Sequence, residues 1–407
     1  MAGRRHFLKV LGRLSAAFTA VALRTGHAGS ARQQQRGKDS IRLFLCGDVM
    51  TGRAIDQVLL HPSKPQLYEP KMRSALGYLA LAEESSGRIR RPVSFPYVWG
   101  DALAELERRT PDARIINLET SVTRSDKPWP KVINYRMHPD NIGCLTAARI
   151  DCCALANNHV LDWQREGLSE TLATLQRAHV ATAGAGVDLE AAQAPAILPS
   201  ADGERILIFA AATEDSGVPA GWAATATRSG VHRLPDLSPK TTARISVLVQ
   251  RYRREGDRVL FSVHWGGNWG YAISREQRAF AHALIDEAGV DIVQGHSSHH
   301  PKAIEVYRDR LVLYGCGDFL NDYEGIGGHE EFRGELGLMY FPTLDRATGR
   351  LRGLELVPTR IRHFRVNRAD GEDRAWLLAR LRREYTALGC DLDQNTDGAF
   401  VVRWRSD

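Results

Sequence analysis

Six apolar runs in this chain each lead into a residue able to bind a metal ion or move a proton. Ile41–Cys46 is followed by Gly47-Asp48, Ala113–Ile116 by Asn117-Leu118-Glu119, and Asp151–Leu155 by Ala156-Asn157-Asn158-His159. Arg258–Val263 leads to His264, Val290–Val293 to Gly295-His296, and Leu311–Tyr314 to Gly315-Cys316-Gly317-Asp318. Carboxylate, amide oxygen and imidazole make a mixed oxygen and nitrogen donor set, suited to zinc, manganese or iron. Asp, Asn and Gly are ordinary turn formers, so one such ending alone reads as a turn. Six in order imply a shared metal site.

Something must hold those endings together. Runs of four to six Ile, Val, Leu and Phe residues read as buried strands. In layered α/β proteins, ligands gather beyond the carboxyl ends of such strands. Between them, Gln164–Ala178, Pro239–Glu255 and Ser274–Ala288 carry helical periodicity. Ser274 with Gln277 fits a capping box, and Gly289 fits the helix stop. The alternation predicts an α/β fold. Residues 40–342 are long for one open sheet, so two packed β-sheets flanked by helices, an αββα sandwich, are expected. Residues 343–407 hold two further expected strands, Leu351–Pro358 and Arg360–Val366, and an amphipathic helix, Asp373–Leu388, completing the domain or appended to it. His61–Trp99 reads as an insertion near the site, and Pro128–Pro139 as a loop facing substrate.

Residues 1–31 read as a targeting segment. Arg4-Arg5-His6-Phe7-Leu8-Lys9 precedes a modest apolar stretch, Ala16–Leu23, in the manner of a twin-arginine signal. The expectation is export to the periplasm or cell envelope, with a membrane anchor if the segment stays uncleaved. Residues 32–39 are polar and read as a linker. Residues 1–31 carry five basic residues and no acids, so the formal net charge of +6 becomes +1 without them. Nothing then favours nucleic acid as a partner. Of six cysteines, Cys46, Cys152, Cys153 and Cys316 lie in apolar runs and are expected as buried thiols.

Two patterns mislead. Gly184-Ala185-Gly186 lacks the third glycine of a dinucleotide fingerprint. Asp393, Asn395, Asp397 and Gly398 open like a calcium loop, but its twelfth position is Trp404, which offers no oxygen. Both are read as turns.

The ordered motifs Gly47-Asp48-Val49-Met50, Asn117-Leu118-Glu119, Ala156-Asn157-Asn158-His159, His264-Trp265-Gly266, Gly295-His296-Ser297-Ser298-His299-His300 and Tyr314-Gly315-Cys316-Gly317-Asp318-Phe319 resemble the CapA family. That family is linked to capsule and poly-gamma-glutamate biosynthesis and has a calcineurin-like metallophosphoesterase fold. The resemblance implies metal ligation by Asp48, Glu119, Asn158, His264, His296 and His299, with Glu119 able to bridge two ions. It implies that His159 donates a proton to the leaving oxygen. One or two divalent ions are expected, of manganese, zinc or iron. Two departures stand out. Superfamily enzymes carry a histidine where this chain has Met50, and the last motif spaces His299 and His300 one and two residues beyond the usual position. One subsite is therefore expected to bind metal more weakly. His300, Asp318 and Asn321 are candidates beside the site, and Lys131 and Arg136 for holding an anionic substrate.

The expected function is an exported metal-dependent hydrolase, of a phosphoester or another ester or amide, in capsule or envelope polymer metabolism. Water on the metal would attack and His159 would protonate the leaving group. The alternative is a non-catalytic accessory subunit of a polymer synthesis or export complex. Expected partners are an anionic polymer or phosphoester substrate and membrane synthase or exporter subunits.

Overall fold

The computed structural model describes residues 39–200 and 203–405; the twin-arginine segment lies outside them. Two β-sheets form the centre. The larger has ten strands, ordered Cys390–Gln394, Phe400–Trp404, Leu351–Ile361, Leu336–Asp345, Ser40–Val49, Ala113–Leu118, Cys152–Ala154 and Ala181–Ala183. Asp318–Leu320 and Val366–Arg368 pair off this path with Ser40–Val49 and Leu351–Ile361. The second sheet has six strands, ordered Ile304–Tyr307, Arg310–Leu313, Ile292–His296, Arg258–His264, Arg205–Ala212 and Ala196–Pro199.

Alternation along the second sheet shows how the layers pack. Ile206, Ile208, Ala210, Leu260, Ile292 and Leu311 join a core shared with the first sheet. Their neighbours Leu207, Phe209, Ala211, Val259, Phe261, Val293 and Val312 pack with Ile245, Val249, Phe280 and Leu284 of two helices on the opposite face. Period-two burial on both faces is what a sheet between a sheet and a helical layer must show. Those helices, Pro239–Tyr252 and Arg275–Asp286, start at side-chain caps from Ser238 and Ser274, the latter with the full Ser274–Gln277 box. The fold is therefore the expected α/β sandwich.

Two expectations on element limits change. The division after residue 342 falls inside Leu336–Asp345, where Pro342 sits opposite Leu354. That strand lies between Ser40–Val49 and Leu351–Ile361, so residues 343–405 complete the large sheet. Leu351–Ile361 is one strand running through Pro358, followed by a turn and Val366–Arg368. Arg205–Ala212 is a further core strand, which ends in no metal-binding residue and so gave no chemical signal. All six cysteines are buried free thiols. No helix among the described residues is long and apolar enough to cross a membrane.

Candidate functional site

Strand register brings the six endings to one place. In parallel pairing, Asp48 stands beside both Asn117 and Asp318, and His264 beside His296. Gly47 allows the approach of the third strand, since a Cβ there would overlap the Gly317 carbonyl. The Asn117 amide donates to Asp48 Oδ1 at 2.6 Å and lies 3.5 Å from His264 Nδ1. His264 Nε2 faces Asn158 Oδ1 at 3.2 Å and Glu119 Oε1 at 3.9 Å. His159 Nε2 approaches the same Glu119 oxygen at 3.7 Å. His296 Nδ1 lies 3.2 Å from Asp48 Oδ1. Asp48, Glu119, Asn158, His159, His264 and His296 thus form one cluster, with every side chain except Asn158 buried.

Local backbone chemistry holds it. Asn157 donates to Asn117 Oδ1 and the Leu118 carbonyl at 3.0 and 2.9 Å, and accepts from the His159 and Val160 amides. This one side chain locks two strand ends together. Ser297, after His296, sits at φ 91°, a strained conformation for a residue with a Cβ. Its amide lies 3.3 Å from Asp48 Oδ2, and its hydroxyl donates to the Gly266 carbonyl.

Two histidine–aspartate pairs flank the cluster. His159 Nδ1 meets Asp162 Oδ2 at 2.6 Å, and Lys131 Nζ forms an ion pair with Asp162 Oδ1 at 2.6 Å while lying 3.2 Å from His159 Nδ1. Lys131 also donates to the Asn158 carbonyl, so this residue sits on the His159–Asp162 pair. On the other side His299 Nδ1 meets Asp318 Oδ1 at 2.9 Å, and Asn321 donates to Asp318 Oδ2 at 2.6 Å. His300 does not enter the site. Its Nε2 accepts from the Gly270 amide and its ring packs with Trp269, Tyr271 and Phe332. Arg136 is also spent elsewhere, on the Ser125 and Lys64 carbonyls, on Asp126, and against the Trp163 ring.

Sequence reasoning missed a buried support. Arg53 forms a two-armed pair with Asp322 at 2.6 and 2.8 Å and contacts Glu69 at 3.2 Å. Its guanidinium lies over the rings of Tyr78 and Tyr135. Tyr135 packs edge-on against His159, and Tyr323 edge-on against His299. The Tyr323 hydroxyl points at Met50 Sδ at 3.7 Å. Asp162 was also missed, although its spacing of three from His159 was a usable signal.

The electrostatics follow from burial and neighbours. Burial pushes His264 down to about 3, with Asp48 opposing. Burial also takes His159 to about 4, aided by Lys131 against the pull of Asp162. Burial would lower His299 too, yet the Asp318 carboxylate outweighs it and the histidine titrates above its ordinary value. Burial would raise Asp48, but His296 and His264 hold it low. Glu119 is raised well above the carboxylate range by burial and by the Asp48 and Asp318 charges.

The donor types fit a divalent ion. Glu119 Oε2 and both His296 ring nitrogens are buried without hydrogen-bond partners, the 3.2 Å approach to Asp48 lacking hydrogen-bond geometry. Buried polar atoms left this way call for an explanation such as an ion. Ligands on one tetrahedral ion stand about 3.3–3.6 Å apart, and the separations here, 3.2 to 3.9 Å, bracket that. Among the described residues no three His, Cys, Asp or Glu side chains enclose a single point. The Asn158 amide oxygen, 3.2 Å from His264 Nε2, is a further donor in the cluster.

Residues 42–323 match the family described as bacterial capsule synthesis protein PGA_cap. The chain is 48% identical over 366 residues to a "Probable polyglutamine synthesis accessory protein" of Mycobacterium tuberculosis, covering 89% of this chain and 96% of that one. It is 23% identical over 300 residues to the PGA biosynthesis protein CapA of Bacillus subtilis, covering 73% and 67%. Over 290 residues it is 23% identical to the capsule biosynthesis protein CapA of Bacillus anthracis, covering 71% and 62%.

Proposed function

This chain belongs to the bacterial capsule synthesis protein PGA_cap family, and from that premise we propose an exported metal-dependent hydrolase of phosphoesters, or of another ester or amide, in envelope polymer metabolism. The observation that carries the proposal is the buried set of carboxylates, amide and imidazoles at the strand ends, with Glu119 and His296 atoms left unpaired. Asp48, Glu119, Asn158, His264 and His296 would hold the ion, with His299 held ready by Asp318. A bound manganese, zinc or iron ion would supply positive charge to the transferred group and make water a better nucleophile.

The chain's own residues do the rest. Asn117 fixes the Asp48 carboxylate by its 2.6 Å bond. The Nδ1–H of His159 donates to Asp162 Oδ2 at 2.6 Å, which leaves the Nε2 lone pair facing the site, 3.7 Å from Glu119 Oε1. Because burial keeps the His159 ring neutral at pH 7, the ring starts as an acceptor. To serve as general acid it must first take a proton at Nε2 from a solvent water, leaving hydroxide, and then give that proton to the leaving oxygen. Lys131 fixes Asp162 and the Asn158 backbone.

The second reading is a non-catalytic accessory subunit of a polymer synthesis or export complex, favoured by the word "accessory" in the name of the relative at 48% identity. One experiment separates the two. Mature protein reconstituted with manganese, zinc or iron is screened on phosphomonoesters, phosphodiesters and γ-linked glutamyl amides. Turnover abolished by Glu119→Gln supports the hydrolase. A folded, metal-loaded protein inert on all three classes supports the accessory role.

A further inference from the structure

Beside His299 the fold leaves a cavity of about 450 Å³, within the roughly 300–1,000 Å³ of small-molecule sites. His299 and Asn321 are in its wall, whereas His159, Glu119 and Asp162 do not line it. Two contacts fix the loop that closes it. The Glu324 carboxylate accepts from the His363 and Phe364 amides at 2.8 and 2.6 Å. Gly325 packs so closely on the helix Ala75–Ser86 that a Cβ there would overlap the Leu81 carbonyl. Ile326 is thereby held in the wall, which also contains Ile133, and the two are 45% and 37% exposed. Tyr78, Tyr323 and Trp269 add ring surface, with His329 stacked on Trp269 at 4.1 Å.

The formal charges in this wall cancel. Arg53, Arg360 and Arg362 are balanced by Glu324, Glu330 and Glu335. Most are already engaged: Arg53 with Asp322 and Glu69, Arg360 with Asp373, Glu335 with Arg333, and Glu330 with the Gly328 amide. His299 is spent on Asp318. An anionic chain therefore gains little here. The Asn268 amide, the Ser85 hydroxyl and the Arg362 guanidinium hydrogen-bond to nothing among the described residues. Apolar and ring surface with a few open hydrogen-bonding groups suits a neutral organic molecule.

His159 and His299 flank the cluster on two sides, and the proton donor of the proposed hydrolase is His159. A group in the cavity beside His299 is therefore not the one that leaves. Resting on that hydrolase reading, we propose that the cavity holds the retained alcohol of a phosphodiester, a neutral ring-bearing group of the sugar or nucleoside kind. In the reaction, water gives its OH to phosphorus and its second hydrogen to the leaving oxygen. The P–O bond to that oxygen breaks, and the retained alcohol departs as its monoester. A phosphomonoester would leave the cavity unfilled.

Two measurements on the full chain test this. The first needs no metal and uses saturation-transfer NMR with thymidine, methyl glucoside and glutamate as probes. A neutral ring should bind saturably, thymidine or the glucoside identifying its kind, and glutamate should not bind. Ile133→Trp/Ile326→Trp, at two exposed positions, fills the cavity and should weaken that binding by about fivefold or more at an unchanged melting temperature. If that variant melts early, Asn268→Ala, also at an exposed position, carries the same expectation. Binding of neither ring, equal binding of glutamate, or parental binding in the variant would overturn the inference whatever the hydrolase does. The second, on metal-loaded protein, compares the nitrophenyl diester of the ring that binds with methyl nitrophenyl phosphate. The ring diester should have a kcat/KM higher by about tenfold or more, and the ratio should collapse in the variant. Equal values in the parent would overturn the assignment to the retained alcohol. No turnover of any phosphoester, with ring binding intact, would refute the hydrolase reading and the diester with it, and leave the cavity a neutral-ring site.

Discussion

His159 and His299 each face an aspartate through Nδ1, at 2.6 and 2.9 Å, yet they titrate in opposite directions. Burial lowers both. The difference lies in the surrounding charges: Lys131 and Arg53 lower His159, whereas Asp48 adds to the upward pull of Asp318 on His299. Asp162 shares its charge with Lys131, and that cation also acts directly on His159. Asp318 is met by the neutral amide of Asn321, so its full charge is felt by His299. One histidine–aspartate motif thus gives a neutral ring, the proposed proton carrier, on one side and a ring inclined to be charged on the other. A carrier must gain and lose a proton, whereas the second ring, once neutral, can offer its lone pair to an ion.

The largest effects should come from deleting each ring. His159→Ala should keep bound metal and cut turnover by about 10²–10⁴, with a smaller loss on nitrophenyl esters, whose leaving group needs no proton. His299→Ala should weaken metal binding, seen by titration calorimetry. Equal kinetic and metal phenotypes for the two variants would erase the distinction.

Acid stability comes next. His159, His232 and His300 titrate near 4 when folded, against 6.5 for the free side chain. Below pH 6.5 the unfolded chain therefore binds protons that the folded chain refuses, and stability falls down to about pH 4. The metal-free protein should lose on the order of a few kcal/mol across that window in urea melts. His299, shifted upward, acts in the other direction: its contribution is full below 6.5 and fades as pH rises through its folded value. A flat profile from pH 7 to 4.5 would contradict the burial of neutral rings.

Met50→His sharpens the inequality between metal positions. The thioether lies 3.7 Å from the Tyr323 hydroxyl and is a soft, weak ligand for these ions. Imidazole there should tighten the weaker of two binding events by about tenfold, a change of about 1.4 kcal/mol, leaving the tighter one unmoved. Two equal events in the parent protein would remove the premise. The smallest expected effect is the most specific. Lys131→Met should raise the His159 titration in metal-free protein by about one pH unit, by NMR of labelled histidines, and leave His299 where it was.

Much of the site was legible because a buried strand followed by a ligand is a local pattern. Asp48, Glu119, Asn158, His159, His264 and His296 converge as that pattern required. What escaped depends on contacts distant in sequence. Arg53 meets Asp322 from 269 positions away, and nothing in either neighbourhood announces it. His300 and Arg136 had suitable chemistry, but aromatic packing and loop carbonyls claimed them. The boundary drawn at residue 342 falls on Pro342, a residue that donates no backbone hydrogen bond. It is tolerated inside the sheet beside the register shift at Thr343 and Leu344.

The most direct test of the central claim is metal analysis by mass spectrometry of mature protein loaded with manganese, zinc or iron and then desalted. At least one tightly held equivalent is predicted in the parent, and its loss in folded Glu119→Gln. A folded parent that retains none, or a Glu119→Gln protein that retains as much, would contradict a metal centre at these strand ends.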